Sequence, residues 1–334
     1  MARGKLIESE EALIQRYLRP LAAGFPGAWG LEDDCASLRV PPGEELVLTT
    51  DAVAAGVHFL ADDRPQDIAW KALAVNASDL AAKGARPIAY LMSLAFPSPP
   101  ETDWLEKFAD GLKAAQACFK MTLAGGDTDR RRGPVAITIT AIGAVPEGRM
   151  VRRATAGPGD MLFVSGTLGD AALGLKLRRT PELAGRWGLK GREARLLVGR
   201  YLRPVPRLAL RSAILDFASA TIDISDGLAK DLDRLCRASG LKGLVRARDL
   251  PLSEAGRKVV TRMPKLFGDV VAGGDDYEIL AAVAPAHAAS FAMAAAAAGV
   301  DVTAIGALEP GRGIAIEGHD GRPLRLARLG WDHF

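Results

Sequence analysis

Apolar positions along the chain keep two rhythms, one of helical period and one of short unbroken runs. Leu13, Ile14, Tyr17, Leu18 and Leu21 recur at helical spacing behind Ser9-Glu-Glu, a capping hydroxyl followed by acids, which predicts an amphipathic opening helix ending around Pro20. Strands are then expected over Glu45–Thr50, Pro87–Phe96, Met121–Ala124 and Val135–Val145. Helices are expected from Pro65, at the favoured first position, to a glycine cap at Gly84, and over Trp104–Cys118. The helix closed by Gly84 is apolar nearly all round and should be central, with Asn76 and Asp79 one turn apart on it. A carboxylate on such a helix is costly unless paired or metal-bound. Lys83, four residues on, offers the first solution and a metal ion the second.

Ala154-Thr-Ala-Gly-Pro-Gly-Asp160 interrupts the pattern and marks a domain boundary. Beyond it, strands are expected over Met161–Val164, up to Asp223, and over Ile279–Val283, Val302–Gly306 and Gly313–Ile316, with helices over Ala171–Leu177, Leu228–Ala238 and Ala286–Ala298. Arg178–Arg195 is charged, poorly periodic and expected to be exposed. Ser165-Gly-Thr-Leu-Gly-Asp170 enters a helix through small residues, an arrangement that can hold an anion. The outcome is two halves that each mix strands and helices.

Length agrees, since 334 residues suit two domains. A net charge of +3 is too small to argue for nucleic acid, and no aromatics interleave with Arg130-Arg-Arg132 or Arg152-Arg153 to stack bases. Cys35, Cys118 and Cys236 are far apart and form no Cys-x-x-Cys, so neither a disulfide framework nor a zinc site is indicated and a reducing cytoplasm fits. The charged start lacks an apolar leader core, and no run approaches the roughly 18–20 apolar residues of a membrane span.

What changes the picture is the placing of the acids. Met121-Thr-Leu-Ala-Gly-Gly-Asp-Thr128 is an apolar run ending in two glycines and an acid, and the arrangement recurs at Asp51, at Asp223-Ile-Ser-Asp226 and at Gly273-Gly-Asp-Asp276, with Asp33-Asp34 as a further pair. Each acid is expected at a strand end. Many carboxylates with few histidines suit a hard cation such as Mg²⁺, which takes oxygen ligands and shares them with phosphates. A nucleotide site holding several Mg²⁺ ions is therefore expected.

With these motifs in view, the chain resembles the thiamine-monophosphate kinases over almost its full length. The resemblance rests on Gly30-Leu-Glu-Asp-Asp-Cys-Ala, Thr49-Thr-Asp-Ala-Val-Ala-Ala-Gly-Val-His-Phe, Lys71-Ala-Leu-Ala-Val-Asn-Ala-Ser-Asp-Leu-Ala-Ala-Lys-Gly-Ala, Gly125-Gly-Asp-Thr, Asp223-Ile-Ser-Asp-Gly-Leu, Gly273-Gly-Asp-Asp-Tyr-Glu and the terminal Gly-Trp-Asp-His-Phe. It implies an α/β plus α+β, two-domain aminoimidazole ribonucleotide synthetase-like fold. An N-terminal ATP- and Mg-binding α/β domain (1–153) would pair its sheet with its twin in a homodimer, an α+β domain (154–334) would follow, and the active site would lie in the cleft between them. It also implies ATP-dependent phosphorylation of thiamine monophosphate to thiamine diphosphate. Carried over residue by residue, Asp34, Thr49, Thr50, Asp51, Asp79, Asp127, Asp223 and Asp226 would hold Mg²⁺. Gly126, Asp127, Arg153 and Ser225 would meet ATP, while His58, Asp275 and Trp331 would face the thiamine side. No residue is implied as a general base. The chain departs from the family pattern at Glu32, where glycine is usual, and at Asp275, where glutamate is usual. Selenophosphate and aminoimidazole ribonucleotide synthetases share the acids but not the Val-His-Phe, Asp-Ile-Ser-Asp-Gly or terminal segments.

Overall fold

The computed structural model describes residues 5–318 and 321–332, so the final His333-Phe334 of the terminal segment lies outside the described residues. The chain divides into two compact units, Met1–Leu80 with Ala85–Gly148, and Ala81–Gly84 with Arg149–Phe334.

In the first unit the opening segment is helical in three pieces, α1 (Glu10–Leu13), a π-helical turn (Ile14–Leu18) and α2 (Arg19–Ala22). Ser9 caps it as expected, its Oγ accepting from Ala12 N at 3.1 Å. The segment runs past Pro20 to Ala22, and the π turn, with its wider i→i+5 bonding, lies just before the residue that has no N–H to give. There follow β1 (Glu44–Ala54), α3 (Pro65–Ala82), β2 (Arg86–Phe96), α4 (Thr102–Phe119), β3 (Thr122–Arg130) and β4 (Ala136–Pro146). The sheet order is β1-β4-β2-β3, with β2 and β3 parallel and the other pairs antiparallel. The α3 helix ends with Ala85 N donating to Leu80 O at 2.9 Å around Gly84 at φ +67°, the left-handed cap that glycine permits. Its residues Ala69, Leu73, Ala74, Asn76, Ala77 and Leu80 are fully buried, which makes it the central helix its composition predicts.

The second unit holds β5 (Met161–Ser165), α5 (Asp170–Arg179), α6 (Leu183–Trp187), α7 (Gly191–Leu202), α8 (Arg211–Phe217), β6 (Ala218–Ile224), α9 (Leu228–Ser239), β7 (Leu241–Arg246), α10 (Glu254–Arg262), α11 (Phe267–Ala272), β8 (Glu278–Val283), α12 (Ala288–Ala297), β9 (Val302–Pro310) and β10 (Gly313–Glu317). Its six strands run in the order β10-β7-β9-β5-β8-β6, antiparallel except for β10 with β7. One core lies among α5, α7, α9, α10 and the sheet, around Leu173, Leu197, Leu232 and Val259. Phe163 and Phe291, 5.4 Å apart edge to face, anchor a smaller cluster with Ala213 and Val283.

Arg178–Arg195 is largely exposed as expected, but it is more regular than its sequence suggests. It carries α6 and the start of α7, and Trp187 is only 3% exposed, because a single aromatic anchors a segment whose other residues are charged enough to hide the helical period.

Candidate active site

Asp223 and Asp226 stand at the end of β6 as expected, but the other acids are not presented at strand ends. Asp51 lies within β1 opposite Ile139, and Asp127 within β3 opposite Ser93, because both strands continue to pair for three further residues. Asp275 and Asp276 precede β8, after the end of α11. The glycines before Asp127 serve close strand approach. Register slips between Leu123 and Gly125, and a Cβ on Gly126 would stand 1.8 Å from the Met92 carbonyl oxygen, so no other residue fits there. Exposed Asp127 and Gly126 then line a cavity of about 760 Å³ together with Asp33, Asp34, Thr138 and Thr140. Ile14, Leu18, Phe25 and Ile142 supply its apolar wall. Glu32, just before it, has φ −106°, which any residue adopts, and its carboxylate meets Arg19 at 2.6 Å.

Two-residue alternation along β1 divides its site residues between faces. Thr49 Oγ1 donates to Asp79 Oδ2 at 2.5 Å, and Asp51 N donates to Asn76 Oδ1 at 3.0 Å, so both meet α3. Thr50 turns the other way, donating to Ile139 O and accepting from Thr140 Oγ1, each at 3.1 Å. Asn76 is fully buried, and its amide also donates to Ala72 O at 3.1 Å, so it fixes the backbone of Asp51. That role was missed by sequence reasoning, although the one-turn spacing from Asp79 pointed to it. After β1, His58 Nδ1 accepts from Ala54 N at 3.1 Å, which assigns the proton of the neutral ring to Nε2. The nearly buried Lys71 donates to the His58 carbonyl at 2.8 Å.

In the second unit, β6 delivers Asp223, 6% exposed, and then the loop Ser225–Gly227. Asp226 is closely paired, with Arg234 Nη2 at 2.6 Å and Lys230 Nζ at 3.3 Å. Asp275 N donates to Ser225 O at 2.9 Å, and Tyr277 Oη donates to Asp275 Oδ1 at 3.1 Å. Asp275 has φ +73°, a region that Asp tolerates better than most side chains, so the shorter acid suits the backbone here. Trp331 N donates to Asp226 O at 3.0 Å while its ring stays partly exposed. Arg153 is exposed, its carbonyl accepting from Ser239 Oγ at 3.0 Å. Asp231, beneath the loop, is fully buried; burial pushes its carboxyl up to about 6, against the pull of Arg234.

The anion expected at the start of α5 is supplied by the protein itself. Gly169 N donates to both carboxylate oxygens of Asp276, at 3.0 and 2.9 Å. Around this seat Asp170 accepts from Thr167 Oγ1 at 2.7 Å and Ser253 Oγ at 2.6 Å. Glu278 accepts from Ser165 Oγ and from Arg207 Nε, both at 2.6 Å, and pairs with a second nitrogen of the same guanidinium.

Among the described residues no three Asp, Glu, His or Cys side chains are gathered closely enough to hold an ion by themselves. The donors are nonetheless all oxygens, the set Mg²⁺ takes when phosphates complete its shell. Asp226 is the exception, since two cations already neutralise it.

Residues 32–145 match the family model described as AIR synthase related protein, N-terminal domain. A thiamine-monophosphate kinase of Caulobacter vibrioides is 42% identical over 323 residues, covering 96% of this chain and 89% of its own length. The crystal structure of thiamine-monophosphate kinase from Stenotrophomonas maltophilia K279a superposes with a TM-score of 0.83 at 36% identity, covering 96% of this chain and all of the other. A structure described as AaThiL complexed with AMPPCP and TMP gives a TM-score of 0.75 at 32% identity, covering 97% of each chain.

Proposed function

The chain belongs to the thiamine-monophosphate kinase family, a premise from which we propose that it transfers the terminal phosphoryl group of ATP to the phosphate of thiamine monophosphate, giving thiamine diphosphate. The observation that carries this reading is full-length likeness to a protein solved with AMPPCP and TMP. The acceptor oxygen belongs to a phosphate monoester, ionised near neutral pH, so no strong general base is needed and in-line approach is the main requirement. That reading accommodates a site built of acids, hydroxyls and glycines.

Asp34, Asp127, Thr49, Thr50, Asp51 and Asp79 are the residues we assign to Mg²⁺ in the first unit, Thr50 from the face of β1 opposite Thr49 and Asp51. Asp223 is assigned in the second unit, with Asp226 joining only if its cationic partners release it. Bound there, Mg²⁺ would neutralise charge between the two phosphate groups as they approach. The protein's own part is to hold these carboxylates in place, through Asn76 at Asp51 and through the close β2–β3 approach at Gly126. Gly126, Arg153 and Ser225 are assigned to ATP, and His58, Asp275 and Trp331 to thiamine monophosphate. In this reading the N-terminal domain ends near Arg153 and the enzyme works in the cytoplasm; no described helix is long and apolar enough to cross a membrane.

A homodimer is part of the same reading. Strand register puts Leu48, Ile142 and Leu91 on one sheet face, with Leu48 61% and Leu91 39% exposed, and a second copy of that face would cover them. Light scattering that returns the monomer mass across micromolar concentrations would remove this claim. For the activity, the test is ATP consumption with thiamine monophosphate, with thiamine, and with no acceptor. Consumption is expected with thiamine monophosphate alone, and equal consumption without acceptor would overturn the reading.

A further inference from the structure

Three chain segments meet backbone to backbone in the second unit. A Cβ on Gly274 would stand 2.5 Å from Ser225 O, and one on Gly330 2.6 Å from Asp226 O. Gly227, at φ +120°, faces the Gly273 carbonyl oxygen 2.9 Å from where its Cβ would lie. Asp275 and Trp331 hang on the same loop, through their amides to Ser225 O and Asp226 O. The loop itself is held from beneath. Asp231 Oδ2 accepts from three successive amides, Ser225 at 3.1 Å, Asp226 at 2.9 Å and Gly227 at 3.1 Å, and its Oδ1 accepts from Arg234 Nη1 at 2.8 Å. Such a run of amides closing on one oxygen is an anion nest filled by a side chain. Arg234 then reaches up to Asp226 with its other nitrogen, tying the loop's one carboxylate to the same anchor.

We propose that Asp231 is the positioning residue of the second unit's part of the site: one buried carboxylate sets the loop Ser225–Gly227 and, through that loop, Asp275 and Trp331. The proposal rests on the kinase reading for what the loop binds, but not for the loop's construction. A side chain that only stabilised α9 would affect melting alone. One that sets this loop must affect the nucleotide side, at Ser225, and the thiamine side, at Asp275 and Trp331, together.

Asp231→Ala and Asp231→Asn are compared with the wild-type chain in two measurements. Hydrogen exchange followed over the peptides carrying Ser225–Gly227, Asp275 and Trp331 needs no activity. Asp231→Ala should lose protection in all three while the strand Ala218–Ile224 keeps it, and Asp231→Asn, which retains one acceptor oxygen, should fall between. In steady-state assays well below the melting temperature, KM should rise about tenfold or more for both ATP and thiamine monophosphate in Asp231→Ala, the scale of losing hydrogen bonds to a charged group. Unchanged protection in the loop, unchanged KM for both substrates beside a lowered melting temperature, or failure of both variants to fold would each make Asp231 a residue of the fold alone and overturn the proposal. A wild type inactive on thiamine monophosphate would instead overturn the kinase reading, and the exchange result would still decide the role of Asp231.

Discussion

Removing Arg207 should cost the second unit a large part of its stability, because its guanidinium answers a carboxylate that has no exit to water. Glu278 is 2% exposed and its two oxygens take both donors of one guanidinium edge. Asp170, 1% exposed, and the half-buried Asp276 lie close enough for their charges to act on one another. In Arg207→Ala the Glu278 charge keeps only the Ser165 hydroxyl, and losing one partner of a buried pair costs about 3–5 kcal/mol. Set against a usual domain stability of about 5–15 kcal/mol, that is a large fraction. At about 2–4 °C per kcal/mol for a unit of this size, the melting transition should fall by about 6–20 °C. Replacing both partners with apolar residues, as in Arg207→Met with Glu278→Met, should be far milder, since no buried charge is left alone. Differential scanning calorimetry on the three proteins decides the matter. A fall of less than about 2 °C in Arg207→Ala would show that the pair is better solvated than its burial implies.

Asp51→Asn and Asp127→Asn should each abolish turnover, by at least about 100-fold, with little change in melting temperature, since both side chains are exposed and each change removes one unit of charge from the assigned metal set; near wild-type rates at saturating Mg²⁺ would cancel the assignment. His58→Gln should raise KM for thiamine monophosphate more than it slows a single turnover at saturating substrate, and a collapsed chemical rate with binding intact would give His58 a different role. Burial raises the carboxyls of Asp170 and Asp276, the latter well above its usual range despite the Gly169 and Ala171 amides, with the charges of Asp170 and Glu278 adding to the rise on Asp276. In the unfolded chain both titrate near 3.9, so above that value and up to the folded pKa the folded protein holds protons the unfolded chain has released. Their contribution is therefore gained as pH falls through the folded pKa and lost as it rises, so melting of the second unit should climb as pH falls through the interval between the raised folded pKa values and the unfolded one, and Asp276→Asn should flatten that slope. A melting temperature that falls over this interval in the wild type would contradict the burial argument.

Much of the fold was legible because long elements carry a period. The α3 helix, with its proline start and glycine stop, and the strands Arg86–Phe96 and Ala136–Pro146 lie within a residue or two of where their apolar positions put them. The two-domain synthetase-like class, read from the motifs, is matched by solved structures over nearly the whole chain. The ends of the two strands that carry Asp51 and Asp127 were not legible. Gly125-Gly-Asp127 reads locally as a turn, yet pairing with β2 carries it on as strand, and only the partner's register reveals that the glycines admit the Met92 carbonyl. Asp231 and Asp276 were hidden for a related reason. An acid facing backbone amides five or a hundred residues away leaves no local pattern, so Asp276 filling the start of α5 could be seen only once the loops were placed. Asn76 stood between these cases, visible by its spacing from Asp79 but without a partner until β1 was in register.

The central claim is that a phosphate accepts the phosphoryl group. Incubating the protein with ATP, Mg²⁺ and thiamine monophosphate, and in parallel with thiamine, while following products by ³¹P nuclear magnetic resonance, tests it most directly. The account predicts that the monoester signal of thiamine monophosphate is replaced by the paired signals of a diphosphate, one for each ADP released, and that thiamine gives no phosphorylated product. Phosphorylation of thiamine itself, or ADP released from ATP with the thiamine monophosphate signal unchanged, would contradict it.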